Sequence, residues 1–335
     1  IMPAHRSCSF DSWLRPGIRS DTVPAWCLWL LRAQVGLVYF FAGFAKCSED
    51  WLAGEPLRQW LANRGDYPLV GPWLETESAV FFFSYGGLLF DLLIAPALLW
   101  SRSRPYAFAA CCAFHIMNKI LFNIGIFPLL AISATLIFFP PDWPRKVCLF
   151  FQPLAISARD RTVRSVSHGW RKLTLAFFVT YLAIQVFLPL RHFLYPGNVH
   201  WTEEGHRYAW HMKLRQKRAT AEFYATDPVT GETWWVDDRP YLSSTQRDRV
   251  GRWPDMCLQF AHFLAEEQRK QGHENIEIRV ECKASLNGRK PEYLIDPDVD
   301  LAKEKRSLWH ADWIRPLTHP LLLREESPDP GEDRP

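Results

Sequence analysis

Apolar positions are spread unevenly along this chain. Four long hydrophobic stretches fill the first 190 residues: roughly Val23–Phe44, Ala79–Trp100, Tyr106–Phe139 and Leu173–Leu190. A hydrocarbon layer about 30 Å thick is crossed by about 20 apolar residues of helix, so each stretch reads as membrane-spanning. One such stretch alone is compatible with a buried core helix, but four in succession are not. The third is too long for one ordinary span and is interrupted by the polar His115–Lys119 segment, HIMNK. We expect it to turn there and cross twice as short or half helices, giving about five crossings.

Beyond residue 195 the pattern changes to that of a water-facing domain. Ala219–Tyr224 and Thr233–Val236 predict strands around a DPVTGE turn. Pro254–Lys270 predicts an amphipathic helix with Met256, Phe260, Phe263 and Leu264 on one face. The alternating run IEIRVECKASL, Ile276–Leu286, predicts a half-buried strand closed by an Asn287-Gly288 turn. A Pro- and acid-rich tail after Glu325 predicts disorder. The fold class is therefore a multi-pass α-helical membrane domain (1–195) followed by a small, mainly β, sandwich-like extramembrane domain (196–320) and a disordered tail (321–335).

Bulk composition hides this division: 48% of residues are hydrophobic and 22% charged, values that suit a soluble globule. A net charge of +3 gives no footprint for nucleic acid. Sixteen Trp and 15% aromatics suit rings at membrane interfaces. Eight Cys lack C-x-x-C or Cys/His metal spacing, so neither a zinc nor a redox site is expected. Loop cations give the sidedness. Arg15 and Arg19, Arg102 and Arg104, and Arg145, Lys146, Arg159, Arg161 and Arg164 share one side if the third stretch crosses twice. Lys46, the acidic Cys47–Ser78 loop, the His115–Asn118 turn and the C-terminal domain then share the outer side.

Ionisable groups inside the membrane are the informative candidates, because they are costly there. Arg32, Tyr39 and Lys46 are spaced by seven and form one polar stripe on the first helix. Lys46 ends that helix near Gly43, which permits close approach to the backbone. A partly desolvated lysine is a residue type that serves as a base, and a snorkelling interfacial lysine is the equal alternative. Asp91 is expected to bridge Arg32. His115 and Asn118 lie one turn apart and suit either packing or substrate contact. No G-x-S-x-G, Walker or H-E-x-x-H pattern occurs.

Several separate segments, in order, resemble the vitamin K-dependent gamma-carboxylase family. They are RAQVGLVYFFAGFAKCSEDWLAGEPL, AFHIMNKILFNIGIFP with FFPPDWPRK, WTEEGHRYAWHMKLR, NGRKPEYLIDPDVDLA and DWIRPL. The likeness runs from about Phe10 to Leu317 and is that of a bacterial member sharing a horizontally transferred transmembrane domain. It implies a membrane lyase that oxygenates reduced vitamin K, of menaquinol or phylloquinol type, to its epoxide. That oxidation is coupled to γ-carboxylation of glutamate in a protein or peptide, with oxygen and carbon dioxide as co-substrates. The resemblance places the hydroquinone-deprotonating lysine at Lys46 and substrate contacts at Tyr39, His115, Asn118, Trp210 and Arg215. It implies a multi-pass protein of a bacterial inner membrane, with lipid and a glutamate-containing substrate as partners.

The chain also departs from the family. Ala45 stands where animal members have a second lysine, His211 replaces an acidic residue, and Arg215 replaces a histidine. The family's W-N-N-H motif does not occur, so either N-terminal helices are expected upstream of Ile1 or this member does not complete the chemistry. The alternative reading is a non-catalytic or epoxidase-only quinone- or lipid-binding protein of the same fold. A transporter using Arg32 and Asp91 is weaker, because the other helices have few polar residues to line a path.

Overall fold

The computed structural model describes residues 9–18, 20, 22–62, 64–122, 124–144, 146–147 and 168–321, with side chains of 168–171 excepted. Arg19, Arg145 and the cations at 159, 161 and 164 lie outside the described residues, as does the tail after Glu325. Contacts divide the chain into two compact units: residues 1–44 with 87–186, and residues 45–86 with 187–335.

Long helices follow the apolar runs. They are α1 (Ala25–Ala45), α2 (Glu77–Leu99), α3 (Arg104–Phe122), the shorter α4 (Phe127–Thr135), and α5 (His168–Leu190). Four helices, α1, α2, α3 and the stretch Lys172–Leu194, are long and apolar enough to cross a membrane. Their outer faces carry exposed Trp29, Phe82, Leu89, Leu93, Leu175, Val179 and Phe187. In water those faces would forfeit the burial that stabilises folding, whereas hydrocarbon accepts them.

In the first unit a core of Tyr39, Ile94, Leu98, Ala107, Cys111 and Phe138 joins α1, α2 and α3. Gly43 does permit close approach: a Cβ there would sit 2.8 Å from the Leu92 side chain. Arg32 corrects the expected bridge to Asp91. Its Nε donates to the Ile137 carbonyl at 3.0 Å, and its Nη2 donates to those of Phe138 and Phe139 at 3.1 Å. These carbonyls end a helical turn and lack partners in their own helix, so a guanidinium satisfies them. Arg104 does the same for α2, donating to Leu98 and Leu99.

The expected turn at His115–Asn118 is also corrected. Helix α3 runs through it to Phe122, and the chain turns before α4, where Gly125 has φ +64° and Pro128 sits in the first turn of the helix. Glycine takes the left-handed backbone without a Cβ clash. His115 does not break the helix, because its imidazole is hydrogen-bonded by a side chain from α1.

In the second unit, β1 (Lys217–Thr226), β2 (Thr233–Trp235), β3 (Glu277–Leu286) and β4 (Glu292–Tyr293) form an antiparallel sheet in the order β2-β1-β3-β4. The DPVTGE segment makes the β1–β2 turn, with Gly231 at φ +74°. Asn287 (φ +51°) and Gly288 (φ +83°) make the turn after β3, and Arg289 N–H donates to the Leu286 carbonyl. Helix α6 (Ser244–Val250) begins with a Ser243–Gln246 capping box, and α7 (Pro254–Lys270) supplies the second layer. Cys257, Phe260, Ala261, Leu264 and Ala265 pack against Phe223, Ile278, Val280 and Cys282. Met256 and Phe263, expected on this face, are exposed instead. The small residues Cys257, Ala261 and Ala265 take their place, because only short side chains let the helix lie close to the sheet.

Candidate functional site

Lys46 lies just past α1, in the second unit, and is buried. Its ammonium stands 5.1 Å from the centre of the Trp51 ring, within cation–π range. Trp51 is held in turn: its Nε1 donates to the Ser84 carbonyl at 2.9 Å, and Ser84 Oγ donates back to the Trp51 carbonyl at 2.5 Å. Next to it, Asp50 accepts two bonds from Arg289, at 2.6 and 2.7 Å, and one from Asn287 Nδ2 at 2.6 Å. Asn287 also brackets Gln216, taking its N–H at 2.8 Å and donating to its carbonyl at 2.8 Å. The segment carrying Lys46 is thus tied to the residue between Arg215 and Lys217. An ammonium so packed is not the solvent-reaching head of a snorkelling lysine.

Around residues 200–217 the chain builds a buried polar cluster. Asn198 caps a one-turn helix, Val199–Thr202, by accepting the His200 N–H at 2.8 Å. The helix stops at Glu203, which has φ +64°, and Tyr208, Trp210 and Lys213 also have positive φ. Four non-glycine residues in the left-handed region within eleven positions hold strain that surrounding contacts must sustain. Gly205, at φ +68°, passes so close to His192 that a Cβ would lie 2.6 Å from its Cα.

These bends converge three imidazoles, with ring centres 5.0 Å apart for His200 and His211 and 5.6 Å for His206 and His211. Arg215 lies over the Trp253 ring at 5.1 Å, donates to Glu203 Oε2 at 2.6 Å and meets His206 Nε2 with Nη1. Lys217 donates to the Trp201 carbonyl at 2.5 Å, and its ammonium is 3.5 Å from Glu203 Oε1.

The charge states follow from burial. Desolvation pushes His206 and His211 down to about 3, aided at His206 chiefly by the Arg215 charge and at His211 by His192, Arg215 and Lys46. His200 is lowered in the same way, by burial and then by His211 and Arg215. Burial raises Glu203 to about 7 against the pull of Lys217 and Arg215, and lowers Lys217 to about 8 against the pull of Glu203. At neutral pH the imidazoles are uncharged, two cations remain, and one carboxylate is partly ionised. The cluster is net positive. Nδ1 of His200 and of His211 is buried with no hydrogen-bond partner among the described residues.

The nitrogen atoms of His200, His206 and His211 lie within 4.8 Å of one another, close enough to raise a metal reading. Tetrahedral zinc at about 2.0–2.1 Å would need nitrogens about 3.4 Å apart. A divalent ion would also sit beside Arg215 and Lys217, with one carboxylate to offset three cations carrying four positive charges. A carboxylate ligand meets the opposite balance, so the cluster is better built for an organic anion.

Of the residues predicted from sequence, Lys46, Trp210 and Arg215 fall in this unit, with Trp210 half-buried at φ +59°. Tyr39, His115 and Asn118 fall in the helical unit. There Tyr39 Oη and His115 Nε2 share a 2.7 Å hydrogen bond, Cys111 Sγ lies 3.6 Å from the same hydroxyl, and Phe90, Phe114 and Phe127 surround the imidazole. Asn118, one turn on, is half-buried. Sequence reasoning missed His200, His206, Glu203, Lys217 and the Asp50–Arg289 pair. The available signal was the spacing H-x5-H-x4-H leading into Arg215 and Lys217.

Two family models match the chain. The HTTM domain covers residues 1–143, and the vitamin K-dependent gamma-carboxylase lumenal domain covers residues 170–320. No solved structure matches it.

Proposed function

Because the chain belongs to the vitamin K-dependent gamma-carboxylase family, we propose that it is a membrane lyase coupling reduced vitamin K oxidation to γ-carboxylation of glutamate. The observation that carries this reading is that one compact unit holds a buried lysine and a buried, net-positive, imidazole-lined cluster. The donor set fits the reactants. Arg215 and the orphaned imidazole nitrogens suit a glutamate carboxylate.

When bound, the reduced quinone supplies, on reaction with oxygen, a base stronger than any side chain offers near pH 7. The work of the chain is then to hold and to exclude. Lys46, held over the Trp51 ring, would take up the proton from a bound quinol hydroxyl, as the family resemblance implies. Arg215, oriented by Glu203 and Trp253, holds the substrate carboxylate, with Trp210 beside it in the strained loop. His206 and His211, pushed to about 3, present no imidazolium that would quench a carbanion at neutral pH. Buried Trp201 and half-buried Trp253 lie against Lys217 and Arg215 and wall the cluster with rings. Within the helical unit, Tyr39, His115 and Asn118 remain candidate substrate contacts, as the family resemblance implies. The family resemblance implies a bacterial inner membrane, and the loop cations put the C-terminal domain on the outer side if the third apolar stretch crosses twice.

The test is hydroquinone-dependent fixation of labelled carbon dioxide into a glutamate peptide by the full-length protein. Label in the peptide supports the reading. Quinol consumed to epoxide without incorporated label would establish the epoxidase-only alternative.

A further inference from the structure

We infer that the loop Ser307–His310 is a bilayer anchor that inserts Leu308 and Trp309 into the lipid interface at the mouth of the last span. Leu308 is 85% exposed and Trp309 84% exposed, two adjacent large apolar side chains at one loop tip. The loop is held, not loose. Tyr195 Oη donates to the Leu308 carbonyl at 2.5 Å on one side. On the other, Glu204 accepts from the Ala311 N–H at 2.9 Å and pairs with His310 Nδ1 at 2.8 Å. Ser307 Oγ accepts the Trp309 N–H at 3.0 Å, which fixes the tip itself. Two large apolar side chains ordered in this way and pointed at water gain nothing for folding, so their partner lies outside the domain.

The position of Tyr195 names that partner. It directly follows the candidate span Lys172–Leu194, whose last residue, Leu194, is itself 85% exposed. A tryptophan beside the end of a spanning helix belongs to the aromatic belt, where an amphipathic ring sits at headgroup level. Lys305 and Arg306, both exposed and immediately before the tip, complement the phosphates of anionic lipid. The inference rests on the span ending at Leu194 and not on the carboxylase reading.

The experiment uses the full chain in nanodiscs of phosphatidylcholine and phosphatidylglycerol. An environment-sensitive fluorescent amino acid is placed at position 309, and in a second sample at position 229, where Val229 is 89% exposed in the β1–β2 turn. We expect blue-shifted emission at 309, quenched several-fold more by spin-labelled lipid than at 229 and spared by aqueous iodide. Equal iodide quenching at both positions overturns the anchor. Shielding from both quenchers at 309 overturns it too, because it would place protein, such as a second copy, over the loop.

Discussion

Replacing Asp50 by Asn should disconnect the Lys46 segment from the sheet. The Asp50 carboxylate and the Arg289 guanidinium are each less than a tenth exposed and meet through two bonds of 2.6 and 2.7 Å. Asn287 adds a third bond to the same carboxylate. Losing the anion leaves Arg289 charged and buried, which costs about 3–5 kcal/mol for a pair of this kind. At about 2–4 °C per kcal/mol for a unit of this size, the melting temperature should fall by about 6–20 °C. Hydrogen exchange should accelerate first in residues 46–62. Asn287 also fixes Gln216, so the Michaelis constant for peptide should rise more than turnover falls. The pair Asp50→Leu with Arg289→Met should recover most of the stability, because removing both charges leaves none unpaired. A single-variant change within about 0.5 kcal/mol, the range of ordinary surface substitutions, would refute the reasoning.

Arg215→Met should raise the peptide Michaelis constant by at least about tenfold, in keeping with a charge-assisted bond of about 1.5–3 kcal/mol, and leave quinol affinity unchanged in a direct binding assay. Gly205→Ala meets both the left-handed φ and the His192 backbone, so thermal melting should show a loss of about 1–3 kcal/mol. Acid should destabilise the second unit. His206 and His211 have folded values near 3 against 6.5 unfolded, so their contribution is present above 6.5 and is lost as pH falls toward 3. The slope is at most about 1.4 kcal/mol per pH unit for each histidine, less some screening at their partly exposed rings. Glu203, raised to about 7, contributes below 4.5 and loses its part as pH rises through 7, but one carboxyl opposes at least two imidazoles. Melting temperatures that do not fall between pH 6.5 and 4.5 would contradict this balance.

The spans were legible because their apolar runs exceed what a globular core needs, and α7 was legible from its Pro start to its basic end. The break inside the third apolar run was misplaced because a polar segment was taken as a turn. His115 instead finds Tyr39 as a partner inside the helical unit, while Gly125 and Pro128 carry the actual punctuation. The buried face of α7 was misjudged because Cys257, Ala261 and Ala265 look neutral beside Met256 and Phe263, although close helix–sheet packing selects small side chains. Lys46 and Tyr39 stand out by their spacing as well as by resemblance, Trp210 and Arg215 by resemblance alone. What surrounds them was not legible, because Asp50 and Arg289 are separated by 239 positions. The histidine cluster depends on left-handed turns at Glu203, Tyr208 and Trp210 that residue type alone does not announce.

The most direct test of the account is Lys46→Arg, compared with Lys46→Ala and the unaltered full-length protein in hydroquinone-dependent fixation of labelled carbon dioxide. Arginine keeps the positive charge over Trp51 but does not give up its proton near neutral pH. We predict that both variants lose epoxide formation and peptide labelling while still binding quinone, and that small amines restore part of the activity to Lys46→Ala. Near-normal turnover by Lys46→Arg would contradict the account and reduce Lys46 to a counter-charge.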